Sequence, residues 1–185
     1  MNIPVLTYSG KVVVRPDTTW KRGDEAFYAP DFVEQVTWAP AMYLNICRPG
    51  RSIGERFASR YYDAFGVGML LYPENLVGSC PEGFAMASCI DHTSFLSHPA
   101  FGLDSLDEGF SLLKDGEALF STERIPLSLL DRAVSEVSRF CYLRNGDFLA
   151  VELGPRMPLC SRGDGALTVE AFHASDKVLD FKVVI

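Results

Sequence analysis

Two neighbouring segments, residues 35–46 and 65–72, constrain the fold of this chain more than any other part of it. In the first segment apolar and polar or small residues alternate, which is typical of a β-strand with two different faces. One face carries Val36, Trp38, Met42, Leu44 and Ile46, and the other carries Gln35, Thr37, Ala39, Ala41, Tyr43 and Asn45. The second segment is an almost continuous apolar run, which indicates a strand buried on both faces. We therefore predict two strands, of which the second is buried on both faces.

The connection between these strands has its own local signals. Cys47-Arg48-Pro49-Gly50 is a turn. Ser52 and Glu55 have the spacing of a capping box, and Ile53, Phe57 and Tyr61 recur at helical intervals, so a short helix capped by Ser52 is expected. Within the first strand, Pro40 has no N–H to donate and is therefore expected at a sheet edge or a bulge.

The rest of the chain reads as many short strands with few helices. The clearest signal is Asp115-Gly116 between 109–114 and 117–122, because a two-residue type I′ hairpin needs positive φ at both central positions. The one long helix is predicted at 128–143, with Leu127, Leu130, Val134, Val137 and Cys141 as its buried stripe and Asn145-Gly146 as its end. A short helix is expected at 73–76, and irregular chain at 91–107 and 154–165. Further strands are expected at 2–7, 11–15, 26–28, 84–90, 147–153, 166–172 and 178–185. These elements predict one β-rich α+β domain that covers residues 1–185.

Composition excludes several classes of protein. The formal net charge of −7 argues against a nucleic-acid surface, which needs a basic patch. Five cysteines without CxxC spacing favour free thiols. The first ten residues lack a basic and a long apolar region, so no signal peptide is expected, and no apolar run reaches the ~18 residues of a membrane helix. We predict a soluble, cytoplasmic protein without membrane contacts.

Motifs do not reveal an active site. The histidines His92, His98 and His173 are too scattered for a metal site, and Asp91 and His92, as neighbours in an extended chain, point apart. Cys89 lies in apolar surroundings and is expected to be an inert, packed thiol. Two Arg-Gly-Asp triplets, at 22–24 and 162–164, have the composition of ordinary turns. Arg51, Arg56 and Arg60 with Glu55 and Asp63 form a charged face that is expected to be solvated.

An ordered set of short stretches gives more information. It consists of Arg15-Pro16-Asp17-Thr18, Phe27-Tyr28-Ala29-Pro30-Asp31-Phe32, Arg60-Tyr61-Tyr62-Asp63-Ala64 with Val67-Gly68, Lys114-Asp115-Gly116, Val137-Ser138-Arg139-Phe140, Gly146-Asp147 and Val178-Leu179-Asp180-Phe181. In order and spacing this set resembles the fumarylacetoacetate hydrolase family, in particular its small bacterial members. The resemblance implies a rolled mixed β-structure with flanking helices, usually dimeric. It also implies hydrolysis, decarboxylation, hydration or isomerisation of dicarbonyl acids on a bound divalent metal, Mg²⁺ or Mn²⁺.

The residues that would hold this metal are missing from the chain. The family carries Glu-x-Glu on one strand, a third carboxylate on the strand after the next helix, and a nearby lysine. The resemblance places these four positions at Ala39, Ala41, Leu70 and Glu82. Because Mg²⁺ requires oxygen ligands, we predict no bound metal and no other cofactor. The family's Gly-Thr-Pro loop corresponds to Glu152-Leu153-Gly154, and residues 1–10 lack the segment that carries a catalytic histidine.

Three functional hypotheses follow. The first is a pseudoenzyme that kept the fold and either binds a small molecule in an altered pocket or associates with itself, as a homodimer, or with an active relative. The second is an enzyme with a relocated, metal-independent site that uses Glu82, Asp91 or His92. The third is an unrelated β-rich binding module.

Overall fold

The computed structural model describes residues 1–21 and 26–185. Over these residues the chain forms two β-sheets flanked by three α-helices and short 3₁₀ turns. The strands are β1 (Asn2–Leu6), β2 (Val12–Pro16), β3 (Trp20–Lys21), β4 (Phe27–Tyr28), β5 (Gln35–Ile46), β6 (Tyr62–Pro73), β7 (Ser94–Leu96), β8 (Phe101–Gly102), β9 (Phe110–Lys114), β10 (Glu117–Thr122), β11 (Phe148–Glu152), β12 (Met157–Ser161), β13 (Ala166–His173) and β14 (Asp176–Val184). The helices are α1 (Glu74–Val77), α2 (Gly83–Ala87) and α3 (Leu127–Phe140).

The larger sheet is mixed and has the order β2-β1-β11-β5-β6-β7-β3, with β12 beside β5 and β8 beside β6. The pairs β1–β11 and β3–β7 are parallel, and the other pairs are antiparallel. The smaller sheet has the order β10-β9-β13-β14-β4. The prediction of a β-rich α+β structure with a rolled mixed sheet is confirmed.

The two segments that dominate the sequence form the centre of the larger sheet. β5 and β6 pair antiparallel along nearly their whole length, from Val36 opposite Pro73 to Ile46 opposite Tyr62. The predicted alternation is confirmed, because the two faces of β5 belong to different apolar clusters. The Trp38 face packs towards α3 and the smaller sheet in the main core. The Ala39 face belongs to a second, smaller cluster on the other side of the sheet.

Pro40 is not on an edge strand, contrary to expectation. It lies inside β5, opposite Met69 of β6. Its carbonyl accepts the main-chain N–H of Leu153, and its ring nitrogen faces the same edge of β5. Along this edge β11 pairs with β5 as far as Ala41 and β12 pairs from Trp38, so Pro40 lies in the gap between the two partner strands. Because no partner strand needs an N–H from this position, the proline is tolerated in the sheet interior.

The strongest local predictions are confirmed. β9 and β10 form the predicted hairpin, and both turn residues have positive φ, 50° at Asp115 and 84° at Gly116. α3 is the predicted long helix, with Leu130, Val134 and Val137 buried. The helix ends at Phe140, earlier than predicted, and the Asn145-Gly146 pair forms the turn before β11. Two residues of the predicted buried stripe are therefore not part of it, because Cys141 lies beyond the helix and Leu127, its first residue, is exposed.

Four further expectations were wrong. Residues 91–107, which were expected to be irregular, contain strands β7 and β8. Ser52 has φ of 51° and donates its main-chain N–H to Ser138, so the helical turn begins only at Glu55, after an N-terminal Gly54. Residues 84–90 contain helix α2 and not a strand, since a short apolar run does not distinguish the two, and Cys89 is exposed. The predicted loop 154–165 contains β12, whose Pro158 adjoins a register shift.

Other features agree with the sequence. All five cysteines are free thiols. Arg162-Gly163-Asp164 forms a turn in which the Asp164 carboxylate accepts the main-chain N–H of Ser161, whereas the triplet at 22–24 lies outside the described residues. No helix in the described part of the chain is long and apolar enough to cross a membrane.

Candidate functional site

Three of the four positions singled out by the resemblance meet on one face of the sheet. Ala39 in β5 lies directly opposite Leu70 in β6, and Ala41 lies two residues further along β5, opposite Gly68. Side chains two residues apart on a strand share a face, so Ala39, Ala41 and Leu70 form one contiguous patch. All three have no exposed surface. Glu82 is exposed and lies just before α2, outside this patch.

The surroundings of this patch are apolar. Ala39, Ala41 and Leu70 belong to a buried cluster completed by Ile3, Val5, Trp20, Tyr43, Tyr72, Leu96, Phe148 and Ala150. None of the three supplies an oxygen ligand, and the described residues contain no group of three or more His, Cys, Asp or Glu side chains placed to hold a metal. A hard dication takes six or more oxygen ligands, which carboxylates, carbonyl groups and waters supply. The residues present therefore do not fit the metal that the fold family implies.

A buried carboxylate lies beside the patch. Glu152 in β11 is opposite Ala41 and only 6% exposed. The Tyr72 hydroxyl donates a hydrogen bond of 2.6 Å to one of its oxygens, and the main-chain N–H of Tyr8 donates one of 2.8 Å to the other. Burial raises the pKa of Tyr72 well above its ordinary value, against an opposing effect of Arg15. The Tyr72 hydroxyl therefore keeps its proton at neutral pH and is the hydrogen-bond donor to Glu152.

A buried arginine completes the arrangement. Arg15 on β2 has no exposed surface. Its guanidinium donates to the carbonyls of Leu71 (2.7 Å) and Thr93 (3.1 Å) and to the hydroxyls of Thr93 (3.1 Å) and Ser94 (3.0 Å). Its central carbon lies 4.4 Å from the centroid of the Tyr72 ring. The site thus contains a fixed positive charge held by neutral acceptors and an aromatic face, which is an arrangement that repels a second cation.

A cavity of about 360 Å³ opens next to Glu152. Tyr8, Lys11, Phe84 and Arg156 contribute to its lining. The Arg156 guanidinium lies 5.4 Å from the Phe84 ring centroid and 3.2 Å from a carboxylate oxygen of Glu74. An aromatic wall, two cationic side chains and one carboxylate therefore surround a space of the size that a small organic molecule occupies.

A second cavity of about 460 Å³ lies further along the sheet, where Trp20, Asn45, His98 and Phe148 are part of its lining. Trp20 packs edge-on against both His98 and Phe148. Phe148 also stacks on Tyr43, at a centroid distance of 4.2 Å. These contacts place an aromatic group at the far end of the same face of the sheet.

The other candidates from the sequence lie elsewhere. Asp91 and His92 are exposed in a turn, and the linings described for the two cavities include neither them nor Glu82. His173 is buried and contacts the carbonyl of Gly109 and the hydroxyl of Ser105. Sequence reasoning missed Glu152 and Tyr72 as site residues. The available signal was an acidic residue at the end of the otherwise apolar strand 148–152.

The connection between β1 and β2 is short. Thr7 donates its main-chain N–H to Lys11, and Gly10 donates to Thr7, so the chain reverses within a few residues. Tyr8 and Ser9 of this turn reach the rim of the 360 Å³ cavity. The turn itself therefore forms the wall of the site at this point.

Comparison with known proteins gives a clear structural answer. No protein-family profile matches the sequence, and no curated protein resembles it significantly. Among solved structures, a Yersinia pestis protein assigned to the fumarylacetoacetate hydrolase family aligns with a TM-score of 0.80 at 16% identity, over 99% of this chain and 92% of the other. Fumarylpyruvate hydrolase from Pseudomonas aeruginosa, solved with Mn²⁺ and pyruvate, aligns at 0.79 and 15% identity, over 100% and 90%.

An isomerase has the same fold. 5-Carboxymethyl-2-hydroxymuconate delta-isomerase from Mycobacterium smegmatis aligns with a TM-score of 0.77 at 17% identity, over 94% of this chain and 68% of the other. The TM-scores establish the fold, whereas identities this low leave the chemistry open. The shared fold agrees with the family resemblance that the ordered set of sequence stretches indicated. The chain has the fold of the fumarylacetoacetate hydrolase family.

Proposed function

We propose that this chain is a pseudoenzyme of the fumarylacetoacetate hydrolase fold that has lost metal-dependent catalysis. One observation carries the proposal: Ala39, Ala41 and Leu70 pack against each other without exposed surface. These are the positions at which the resemblance places the metal-binding carboxylates. Substitution of one ligand leaves a weakened metal site, whereas apolar side chains at three positions leave no charge to hold a dication.

The electrostatics of the site support the same conclusion. The Pseudomonas fumarylpyruvate hydrolase structure contains Mn²⁺ and pyruvate. In this chain the face of the sheet where the resemblance expects the metal ligands carries a buried guanidinium, Arg15, and one carboxylate, Glu152, which is already hydrogen-bonded through both oxygens. A dication placed here would lose its water ligands without gaining enough protein oxygens in return.

The function that remains is binding. The cavity beside Glu152 has the cationic side chains of Lys11 and Arg156 and the aromatic ring of Phe84 in its lining. This chemistry suits a small organic acid with a planar group, because guanidinium and ammonium groups bind carboxylates and an aromatic ring stacks on planar molecules. Association as a homodimer, which the resemblance implies, belongs to the same proposal; light scattering at micromolar concentration distinguishes it from the monomer mass of 20.5 kDa.

The test combines metal binding with turnover. Isothermal titration with Mg²⁺ and with Mn²⁺ is expected to give no heat of binding at this site, and an acylpyruvate incubated with either metal is expected to remain intact. An active fumarylpyruvate hydrolase serves as the positive control for both measurements. Turnover that a chelator abolishes and that re-addition of Mn²⁺ restores would contradict the proposal.

A second candidate function is metal-independent acid–base chemistry at Glu152. The observation in its favour is the 2.6 Å hydrogen bond between Tyr72 and Glu152, at the edge of a cavity that also contains Lys11 and Arg156. A carboxylate and a hydroxyl in contact can move a proton between them and a bound substrate. This candidate predicts turnover of a dicarbonyl acid in the presence of a chelator, and loss of that turnover in Glu152→Gln. The pseudoenzyme proposal predicts no turnover in either protein.

A further inference from the structure

The charges of this chain are strongly segregated. Residues 47–61 and 127–146 contain seven of the twelve arginines and three acidic residues, hence a local net charge of +4. Since the whole chain carries −7, the remaining residues carry −11. We name the exposed side of these two segments the arginine face. Its seven arginines are Arg48, Arg51, Arg56, Arg60, Arg132, Arg139 and Arg144.

Main-chain hydrogen bonds hold the two segments together as one surface. Gly50 and Leu143 exchange N–H···O bonds of 3.0 and 2.9 Å, and Ser52 donates to the Ser138 carbonyl at 2.8 Å. In this antiparallel bridge Leu143 points inward and is fully buried. The neighbouring positions therefore point outward, which places Arg51 close to Tyr142 on the exposed side.

The arginines of this face are available to a partner. All seven are exposed. Arg139 pairs with Glu136 at 3.2 Å, and the described residues supply no carboxylate partner for the other six. Arg56 and Arg60 lie over the ring of Phe57, at 4.5 and 5.3 Å from its centroid. Six of the seven guanidiniums therefore face solvent without an ion-pair partner among the described residues.

Exposed aromatic side chains lie among these charges. Phe140 is 67% exposed, Tyr142 55% and Phe57 39%. Two of them follow each other closely at the end of α3, where the structure brings them next to the 48–52 turn. Exposed aromatics flanked by polar residues are characteristic of interaction sites and costly to leave in water.

We propose that the arginine face docks an acidic segment of another protein, one that carries aromatic or aliphatic side chains between its carboxylates. Charge complementarity requires an anionic partner, because the face has a net charge of +4 and unpaired guanidiniums. Guanidiniums bind carboxylates through two parallel hydrogen bonds. Apolar side chains of the partner would cover Phe140 and Tyr142, which an exclusively charged ligand would leave exposed.

Composition distinguishes a protein partner from the alternatives. The face contains seven arginines and no lysine. Protein–protein interfaces are enriched in arginine and aromatic residues and depleted in lysine, whereas phosphate backbones are bound by both cations. A second copy of this chain is disfavoured, because a two-fold interface would bring this positive face against itself.

The test uses a fluorescent peptide of about 12 residues in which Glu and Asp alternate with Phe and Leu, long enough to cross the face. Fluorescence anisotropy measures its binding to the full chain. We expect micromolar affinity that falls about tenfold when the ionic strength rises from about 50 to about 300 mM. The double variant Arg51→Glu/Arg144→Glu is expected to lose at least about tenfold in affinity, and Phe140→Ala several-fold.

The matched control is Arg124→Glu/Lys182→Glu. Both residues are exposed and lie outside the arginine face, and the variant has the same net charge as the test variant. The control is expected to bind the peptide like the parent. Circular dichroism verifies that all variants are folded, so that a loss of binding is not a loss of structure.

Four outcomes overturn the proposal. They are no binding of the acidic peptide, equal effects of the test and control variants, tighter binding of an oligothymidylate of similar length, and conversion of an oligomer to a monomer by Arg51→Glu/Arg144→Glu. The third outcome assigns the face to nucleic acid and the fourth to a second copy of the chain. None depends on metal binding or turnover, so the proposed loss of catalysis stands or falls separately.

Discussion

Placing carboxylates at the three positions where the resemblance expects metal ligands tests the proposed loss of the metal site. The variant is Ala39→Glu/Ala41→Glu/Leu70→Asp. Backbone geometry permits a metal here, since directly opposite residues of an antiparallel pair have β-carbons about 4.5–5.5 Å apart and residues two apart on a strand share a face. The outcome therefore depends on packing and charge, and not on the reach of the side chains.

Packing argues that the variant will be much less stable. Each Ala→Glu change adds atoms to a fully buried position, which typically costs about 1–3 kcal/mol through overpacking. Removal of a buried leucine side chain costs about 2–5 kcal/mol even before a charge is placed there. The sum is about 4–11 kcal/mol, a large part of the 5–15 kcal/mol by which native proteins are stable. We expect the urea midpoint to fall sharply.

Metal binding has a measurable signature in the same experiment. If the three carboxylates created a metal site, Mn²⁺ at about one hundred times its dissociation constant would add about 2.7 kcal/mol to the free energy of unfolding. For a chain of this size, that corresponds to an increase in Tm of about 5–11 °C. We expect no such increase, because the carboxylates would be buried beside Glu152 and because Arg15 already supplies the positive charge of the site.

The matched control is Ala39→Gln/Ala41→Gln/Leu70→Asn, which has nearly the same shape without the charges. Thermal unfolding of both variants and the parent is followed with and without Mn²⁺. A Tm increase of 5 °C or more in the carboxylate variant alone would refute the reasoning. If the triple variant does not fold, Leu70→Asp against Leu70→Asn gives the same comparison at one position.

Three further predictions concern the framework of the site. Burial raises the pKa of the Tyr72 hydroxyl above its ordinary value of 10.0, so the unfolded chain loses the hydroxyl proton at a lower pH than the folded chain does. The free energy of unfolding should therefore fall above about pH 10, by up to about 1.4 kcal/mol per pH unit. Urea titrations at several pH values should show a shallower decline for Tyr72→Phe than for the parent. A β-carbon at Gly68 would collide with the Phe95 carbonyl, so Gly68→Ala should lower the Tm markedly, whereas Gly78→Ala, with open space around it, should not. Arg15→Ala leaves buried acceptors unpaired and should lower the free energy of unfolding in urea by about 3–5 kcal/mol. Arg15→Lys should be closer to the parent in stability, and equal stability of Arg15→Ala and the parent would contradict this account.

Local patterns in the sequence predicted much of the fold. The alternation in β5, the apolar run in β6 and the Asp115-Gly116 turn all describe constraints that act within a few residues, and the structure confirms each. The misassignment of residues 84–90 has the opposite cause. A five-residue helix and a buried strand have similar composition, and the choice is made by contacts such as the stacking of Phe84 on Tyr72, which lies twelve positions earlier in the sequence.

The candidate site shows the same division. The sequence and its resemblance to a family predicted which side chains lie where carboxylates are expected, and the structure brings Ala39, Ala41 and Leu70 together. It did not predict what surrounds them. Glu152 and Tyr72 are 80 residues apart in the sequence, and Arg15 is 78 residues from Thr93. Such pairings depend on sheet topology, which residue periodicity does not encode.

The charges around the patch also predict that one or two introduced carboxylates will not create a metal site. A single carboxylate at position 39, 41 or 70 cannot hold a dication, so it would be buried without a partner and would favour its neutral, protonated form. A second would add repulsion from the first and from Glu152, which both Tyr72 and the Tyr8 amide already stabilise. Only the complete set would offer a dication enough oxygens, and the guanidinium of Arg15 would still repel it. The energetic gain of metal binding would therefore arrive only after several unfavourable changes, so we expect the apolar patch to be more stable than any variant that carries one or two of the three carboxylates.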